Sequence, residues 1–369
     1  MFAQYVEQLK GLLHASSVGG TWFDNGLSSL IDLLTGPITG INTRFHWITV
    51  VEAIVVAALV FTFRPEHVRG EGVRAFIRYC FPRRFFTHNS TFVDCQLIVA
   101  NQLLSKSYNV LWRLNTPLMV GALLAALTWA FGPPLKLFDW TTTTLVIFTF
   151  LMAMASDFGY FLFHYSAHKI PMLWAFHRVH HSAEILTPLT AGRLHPVEVV
   201  ALAPARSVTT SLLLAPAIYV FTTEPTLITI FGMDLTVVVF GALGNQLLHS
   251  HIWLSWGPML EHVIMSPAQH QVHHSTARQH WDKNMGGLFC LWDWMFGTLY
   301  VMRQREYFTF GLGEGAPQIH ANAVTAYLRP FWDAIPLRRK LQNQVVPALG
   351  SWFRSFTGPR NPSRRHSPP

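Results

Sequence analysis

Charge is what this sequence has least of. Only 12% of its 369 residues are Asp, Glu, Lys or Arg, while half are hydrophobic and 14% aromatic. Soluble globular chains carry about 25% charged residues, so much of this surface is built to face something other than water. That excludes an ordinary two-domain soluble enzyme, which length alone would allow, and predicts an integral membrane protein. Cysteine is almost as scarce: Cys80, Cys95 and Cys290 form no CxxC pair, which argues against Fe–S clusters, zinc fingers and a disulfide framework. No HExxH occurs, the helical motif in which zinc hydrolases combine two ligands with a glutamate base. Flavin, haem and nicotinamide motifs are missing too, and no compact signal-peptide pattern opens the chain. Acidic residues are outnumbered, leaving a net charge of +8. Because the Arg and Lys residues sit in loops beside apolar runs, the partner this excess predicts is an anionic head group and not nucleic acid.

Long apolar runs are abundant. The first, 46–63, contains Glu52 as its only charge and is long enough to cross a bilayer. Arg64, Arg69, Arg74, Arg78, Arg83 and Arg84 follow, and the positive-inside rule makes that loop cytoplasmic. Further spans are expected at 111–131 and 141–163, joined by PPLKLFDW, and two more stretches at 197–221 and 225–248 meet at Glu224-Pro225. The last two read as a hairpin whose first arm is weakened by Pro204 and Arg206, leaving a partial, re-entrant insertion open. Counting crossings puts the ends of the third and fifth runs on the cytoplasmic face. The expected fold is an all-α, multi-pass membrane protein of about four to five transmembrane helices, with a cytoplasmic helical cap. Its expected units are an N-terminal segment (1–45), transmembrane helices with the basic loop (46–140), a catalytic unit (141–302), a C-terminal amphipathic segment (303–355) and a disordered basic tail (356–369). Within the catalytic unit, GGLFCLWDWMFGTLY reads as an interfacial helix closing over the metal region.

Histidine is the other excess, with 19 residues. The stretch from His164 to His181 contains five: His164, His168, His177, His180 and His181. Downstream come His249 and the HQVHH of His270, His273 and His274. Residues three and four apart share a helix face, so the HxxxH and each HxxHH project their rings in one direction. A lone histidine near a membrane surface is more often a hydrogen-bonded residue than a ligand. Repeated boxes are different, because a solvated face gains nothing from stacked uncharged imidazoles. Imidazole suits iron, zinc, copper and nickel, and this set suffices for two ions. Span parity brings every box to one face, as a single centre requires. On the same helical stripe, Asp157, Tyr160, His164 and His168 follow at i, i+3, i+7 and i+11. Asp157 is costly inside an apolar run, and reads either as the acceptor of a ligand's N–H or as an ion-pair partner of Arg178 or Arg193. Asp282 and Asn284 support the last box or cap a turn, Asp293 reads as structural, and His366 in the tail is no ligand. Two metals side by side can activate dioxygen or hold a hydroxide for hydrolysis. A metal transporter is a competing class, but it would place ligands near the bilayer midplane; a zinc-dependent membrane hydrolase would work without O2.

HKIPMLWAFHRVHHSAE, TAGRLHPVE, PAQHQVHHS and DKNMGGLFCLWDWMFGT, in this order over about residues 145–302, resemble the fatty acid hydroxylase and sterol desaturase superfamily. The resemblance implies a membrane non-haem di-iron oxygenase of the endoplasmic reticulum or bacterial inner membrane. Such an enzyme hydroxylates or desaturates a fatty acyl or sterol-like lipid with O2 and electrons from a separate donor protein, and zinc can replace its iron. Carried over, the boxes are His164 and His168; His177, His180 and His181; Asn245 and His249; and His270, His273 and His274. The middle set stays open: His195 (in HPVE) and His251 are secondary candidates, and His262 and His280 each offer a further ring. Lys169 stands where the alkylglycerol monooxygenase branch has glutamate, which disfavours that branch.

Overall fold

A computed structural model describes residues 46–63, 72–230, 233–307, 309–313, 318 and 320–335, the side chains of 105–114 excepted. The expectations for segment 1–45, for Arg64 and Arg69, and for residues from 336 onward with His366 lie outside the described residues.

The described chain is mostly helix. Ten helices matter here: α1 Trp47–Phe63, α2 Gly72–Cys80, α3 Asn89–Phe131, α4 Thr142–Lys169, α5 Pro171–His181, α6 Pro196–Val220, α7 Leu235–Ala242, α8 Pro267–His273, α9 Leu291–Phe296 and α10 Ala323–Ala334. One short antiparallel hairpin pairs Thr229–Ile230 with Met233–Asp234.

α3, α4 and α6 form the central bundle. α4 opens with a capping box, in which Thr141 and Thr144 satisfy each other's backbone N–H. Its 28 residues extend about 42 Å at 1.5 Å per residue, against a hydrocarbon core of about 30 Å. The last turns, which carry His164 and His168, therefore have length to project beyond it. α4 crosses α6 at Gly159, where a Cβ would meet Thr209 Oγ1 at 2.5 Å and Ala205 O at 2.7 Å; only glycine allows that approach. Ile170-Pro171 then breaks the helix, since proline cannot continue the ladder but suits a first helical turn. The break sets α5 beside the end of α4. Asp94 of α3 and Arg193, both fully buried, pair at 2.9 Å. Arg193 also donates to Val179 O, Ser182 Oγ and Ser90 O, locking α3, α5 and the loop before α6 together.

The outside of this bundle is apolar. Phe63, Trp129 and Phe131 are 80%, 90% and 72% exposed, and Ile54, Leu59, Leu118, Ile147 and Leu212 are exposed as well. Apolar surface on this scale calls for a partner other than water. Among the described residues, α4 and α6 are long and apolar enough to cross a membrane, and α1 and Asn115–Phe131 are shorter apolar pieces.

Two stretches depart from expectation. The run at 111–131 is the end of one continuous 43-residue helix that carries Pro117 inside it. The stretch 225–248 is not a spanning helix; it contains the hairpin, the eight-residue α7 and a 3-10 turn at Asn245–Leu247. Gly244 in the left-handed region (φ 81°) ends α7, and Ile228 N donates to Thr149 Oγ1, holding the segment alongside α4. It still returns the chain to the histidine end. α6, by contrast, runs unbroken through Pro204 and Pro216. The aromatic segment after residue 286 contributes only the six-residue α9.

This arrangement predicts that single cysteines at exposed Thr87 and Gln279 label from the same side of the membrane, and one at exposed Thr143 from the other. Labelling of Thr87→Cys and Gln279→Cys from opposite sides would refute the one-face placement of the boxes.

Candidate metal centre

Nine imidazoles converge where α4, α5, α8 and the loop carrying His249 meet. Two groups have ligand atoms all within 4.8 Å of one another: His164, His168, His177, His181 and His273, and separately His180, His249, His270 and His274. The groups adjoin, with the His181 and His274 rings stacked 4.6 Å apart. Eight of the nine rings are buried, and His168 is nearly so.

Four rings have one nitrogen committed to an acceptor. His164 Nδ1 donates to Met285 O (2.7 Å), His273 Nδ1 to Lys283 O (2.8 Å), His168 Nδ1 to Asp282 Oδ1 (3.3 Å) and His177 Nδ1 to Glu198 Oε1 (2.8 Å). Carbonyls and carboxylates have no hydrogen to give, so the ring hydrogen sits on Nδ1 and the Nε2 lone pair faces inward. The Nε2 atoms of His164, His168 and His273 have no hydrogen-bond partner, and neither ring nitrogen of His274 has one. Buried polar atoms without partners are rare and costly. His249 Nε2 lies 3.0 Å from His180 Nε2 and 2.9 Å from His270 Nε2. One hydrogen cannot serve both contacts. Nitrogens bound to one cation at about 2.0–2.1 Å stand about 3 Å apart at right angles, so the spacing fits a metal.

Electrostatics agree. Burial, reinforced by neighbouring imidazoles, holds His180, His181, His273 and His274 well below the ordinary histidine pKa, so these rings are neutral near pH 7, the form that ligates. The hydrogen bond from His168, then Lys169, pushes the Asp282 carboxyl down to about 2, against some opposing burial. It therefore stays charged beside its ligand.

Three of the four supports rest on one loop, Glu198 of α6 being the exception. Asp282 and Asn284 take left-handed backbone (φ 58° and 53°), tolerable for these two residue types. Asn284 donates to Gln269 O and Tyr300 O and accepts from Tyr300 N. Asp293 accepts from Met285 N, Gly286 N and Thr298 Oγ1, a structural role. Asp157 accepts from Leu288 N, Phe289 N and Trp292 Nε1. Neither sequence reading of Asp157 matches this, because it binds no ligand imidazole and pairs with neither Arg178 nor Arg193. It anchors the continuation of the loop instead.

Residues 149–298 match the family described as fatty acid hydroxylase. That stretch is a fatty acid hydroxylase domain. Among curated proteins, the alkylglycerol monooxygenase of Homo sapiens is 30% identical over 160 residues, 42% of this chain and 31% of that protein. The one from Danio rerio is 32% identical over 148 residues, 40% and 29% of the two chains. The ornithine lipid hydroxylase of Rhizobium tropici is 26% identical over 145 residues, 39% of each. The chain thus spans about a third of the length of the alkylglycerol monooxygenases it matches. No solved structure matches it. Lys169 does not separate the hydroxylase domain from that branch, contrary to the expectation from its position. Its side chain is 43% exposed and paired with Asp282 outside the cage, so the residue there can change without touching a ligand.

The remaining candidates of the domain lie outside both groups. His195 caps α6, its Nδ1 accepting from Val197 N while Nε2 donates to Tyr327 O. His251 Nε2 donates to Tyr79 O. His262 bonds Pro258 O, and His280 bonds Ser275 and Glu306. Asn245 begins the 3-10 turn and lines a cavity next to His249. Sequence reasoning passed over Glu198 and the carbonyls of Lys283 and Met285. The HPVE motif did contain Glu198, but an acidic residue in a first helical turn ordinarily answers the helix dipole.

Glu198→Ala should weaken metal retention about 10- to 100-fold, as loss of a ligand's hydrogen-bond partner does, whereas His195→Ala should cost about 1 kcal/mol of stability as a lost cap and leave the metal count unchanged. Metal analysis and thermal unfolding of the purified variants separate the two. Lowering pH should also destabilise the metal-free protein. Its buried histidines refuse protons that the unfolded chain accepts below about pH 6.5, so the unfolding temperature should fall as pH drops through that value. A flat profile between pH 7 and pH 5 would contradict neutral burial.

Proposed function

We propose that this chain is an O2-dependent lipid hydroxylase that works with two iron ions, one in each histidine group. The observation that carries this reading is the five-and-four array of closely packed imidazoles, with the Nε2 lone pairs of His164, His168, His177 and His273 turned inward. A fatty acid hydroxylase domain is the setting in which such an array suits oxygen chemistry, and its likeness to a monooxygenase and a lipid hydroxylase favours hydroxylation over desaturation. When bound, the irons supply dioxygen activation: one oxygen atom enters the C–H bond and the other leaves as water, with electrons and protons from outside. No residue pattern in the chain holds a flavin, haem or nicotinamide, so a separate donor protein provides those electrons. Zinc binds such sites at least as tightly and replaces iron without supporting the redox step.

The chain's own residues do the rest. Met285, Lys283, Asp282 and Glu198 fix tautomers, and burial keeps the rings unprotonated. Two cavities reach the cage: one of about 520 Å³ touches His249 and His270, and one of about 330 Å³ touches His168, His181, His273 and His274. The first lies against α4 and α6, the apolar side, and suits an acyl or sterol-like substrate. The second is bounded by Trp281, Thr276 and Asp282 and suits approach from water. With a bilayer around α4 and α6, the active site faces the cytoplasm of a bacterial inner membrane or endoplasmic reticulum. The ligands gather at helix ends, which weighs against transport.

His180→Ala and His274→Ala should abolish oxygen-dependent product formation in membranes while leaving the protein inserted, because the spans depend on apolar burial and backbone hydrogen bonds. Asp157→Asn, which retains an acceptor oxygen, should reduce turnover less than either. Undiminished activity of His180→Ala or His274→Ala would remove the second group from the chemistry.

A further inference from the structure

Arg206 sits in the middle of α6, a helix apolar enough to cross a membrane. Its Nε is buried without a hydrogen-bond partner. Among the described residues the guanidinium makes no hydrogen bond or ion pair, and only stacks over the Tyr160 ring, 5.3 Å from its centroid. The nearest carboxylate is already occupied, since both Asp157 oxygens accept from the loop after Gly287. A guanidinium carries five N–H donors. Leaving even the buried Nε–H without an acceptor in so apolar a helix is expensive, and such residues mark substrate sites. Tight crossing at Gly159, against the Arg206 Cα, fixes where the side chain starts.

The cavity that Arg206 faces also contains His249 and His270. Its volume of about 520 Å³ falls within the roughly 300–1,000 Å³ of small-ligand sites. We propose that Arg206 anchors the polar head of the lipid, donating to its uncharged oxygens (ether, ester carbonyl or hydroxyl) and so presenting a carbon close to that head to the His249–His270 side of the cage. The head is uncharged because two carboxylates, Asp157 and Asp234, line the same cavity and would repel an anion there. The oxidised carbon is close to the head because one cavity holds both ends of the interaction. This assignment rests on the lipid hydroxylase reading and narrows it to a lipid with an oxygen-bearing, uncharged head.

The test is binding by the full-length protein in detergent, without dioxygen or an electron donor, of 1-O-hexadecylglycerol, its 3-phosphate and hexadecane. Wild type should hold hexadecylglycerol about ten-fold or more tighter than Arg206→Met, the range expected for lost hydrogen bonds to a charged group. Arg206→Lys, which keeps the charge and loses the planar fork, should fall between them; it carries the test if the Met variant does not fold. Hexadecane should bind all three alike, and the phosphate more weakly than the neutral lipid. Unchanged hexadecylglycerol binding in the folded variants overturns the anchor, as does tighter, Arg206-dependent binding of the phosphate alone. Wild type that binds as expected but yields no hydroxylated product with iron, donor and O2 supports the anchor and refutes only the hydroxylase reading.

Discussion

Nine imidazoles cannot be packed into a dry space unless each stays neutral and something satisfies the lone pairs they turn toward one another. Everything local to the centre follows from that constraint. A charged ring would repel its neighbours and lose its hydration, so burial has to keep the protons off. A neutral ring has two tautomers, only one of which offers Nε2, so an acceptor has to hold Nδ1–H. Met285 O, Lys283 O, Asp282 and Glu198 are those acceptors. Met285 and Asp282 stand 121 and 114 residues from the rings they hold, so the centre forms only in the folded protein.

The bundle converts this local demand into a position. α4 carries His164 and His168 on its last turns, the Ile170-Pro171 break turns α5 back against them, and the buried Asp94–Arg193 pair clamps α5 to α3. Removing one partner of such a pair leaves a buried charge uncompensated. The clamp therefore bears on the helix of His177, His180 and His181, and the Arg193 backbone also lies against the His180 ring. Two cavities reach the cage, one at His249 and His270 and the other at His168, His181, His273 and His274.

The sequence made the boxes legible because helical spacing is a local property: i, i+3 and i+4 put rings on one face wherever the helix lies. It also made the apolar runs legible, since hydropathy needs no tertiary knowledge. Three things were not legible. The 225–248 stretch has the hydropathy of a span, but Asp234 and the left-handed Gly244 break it into short pieces. Asp157 sits on the stripe of His164 and His168, yet rotates to backbone amides of a distant loop that spacing cannot reveal. Two of the acceptors are main-chain carbonyls, and a carbonyl has no side chain to leave a signature. His195 and His251 looked like ligands because their neighbours were suggestive, and both were claimed by nearby backbone instead.

Asp282, Lys283 and Met285 hold ligands drawn from two helices, α4 and α8, through a single stretch of four residues. That loop is itself held in a left-handed kink by the side chain of Asn284. His164, His168 and His273 belong to the same five-membered group, so they are not independent in the way that ligands of a rigid chelator are. When the loop opens, three rings lose their orientation together. Release of an ion held by that group would then follow the local opening equilibrium of the loop, on which Asn284 and Asp293 bear through their hydrogen bonds.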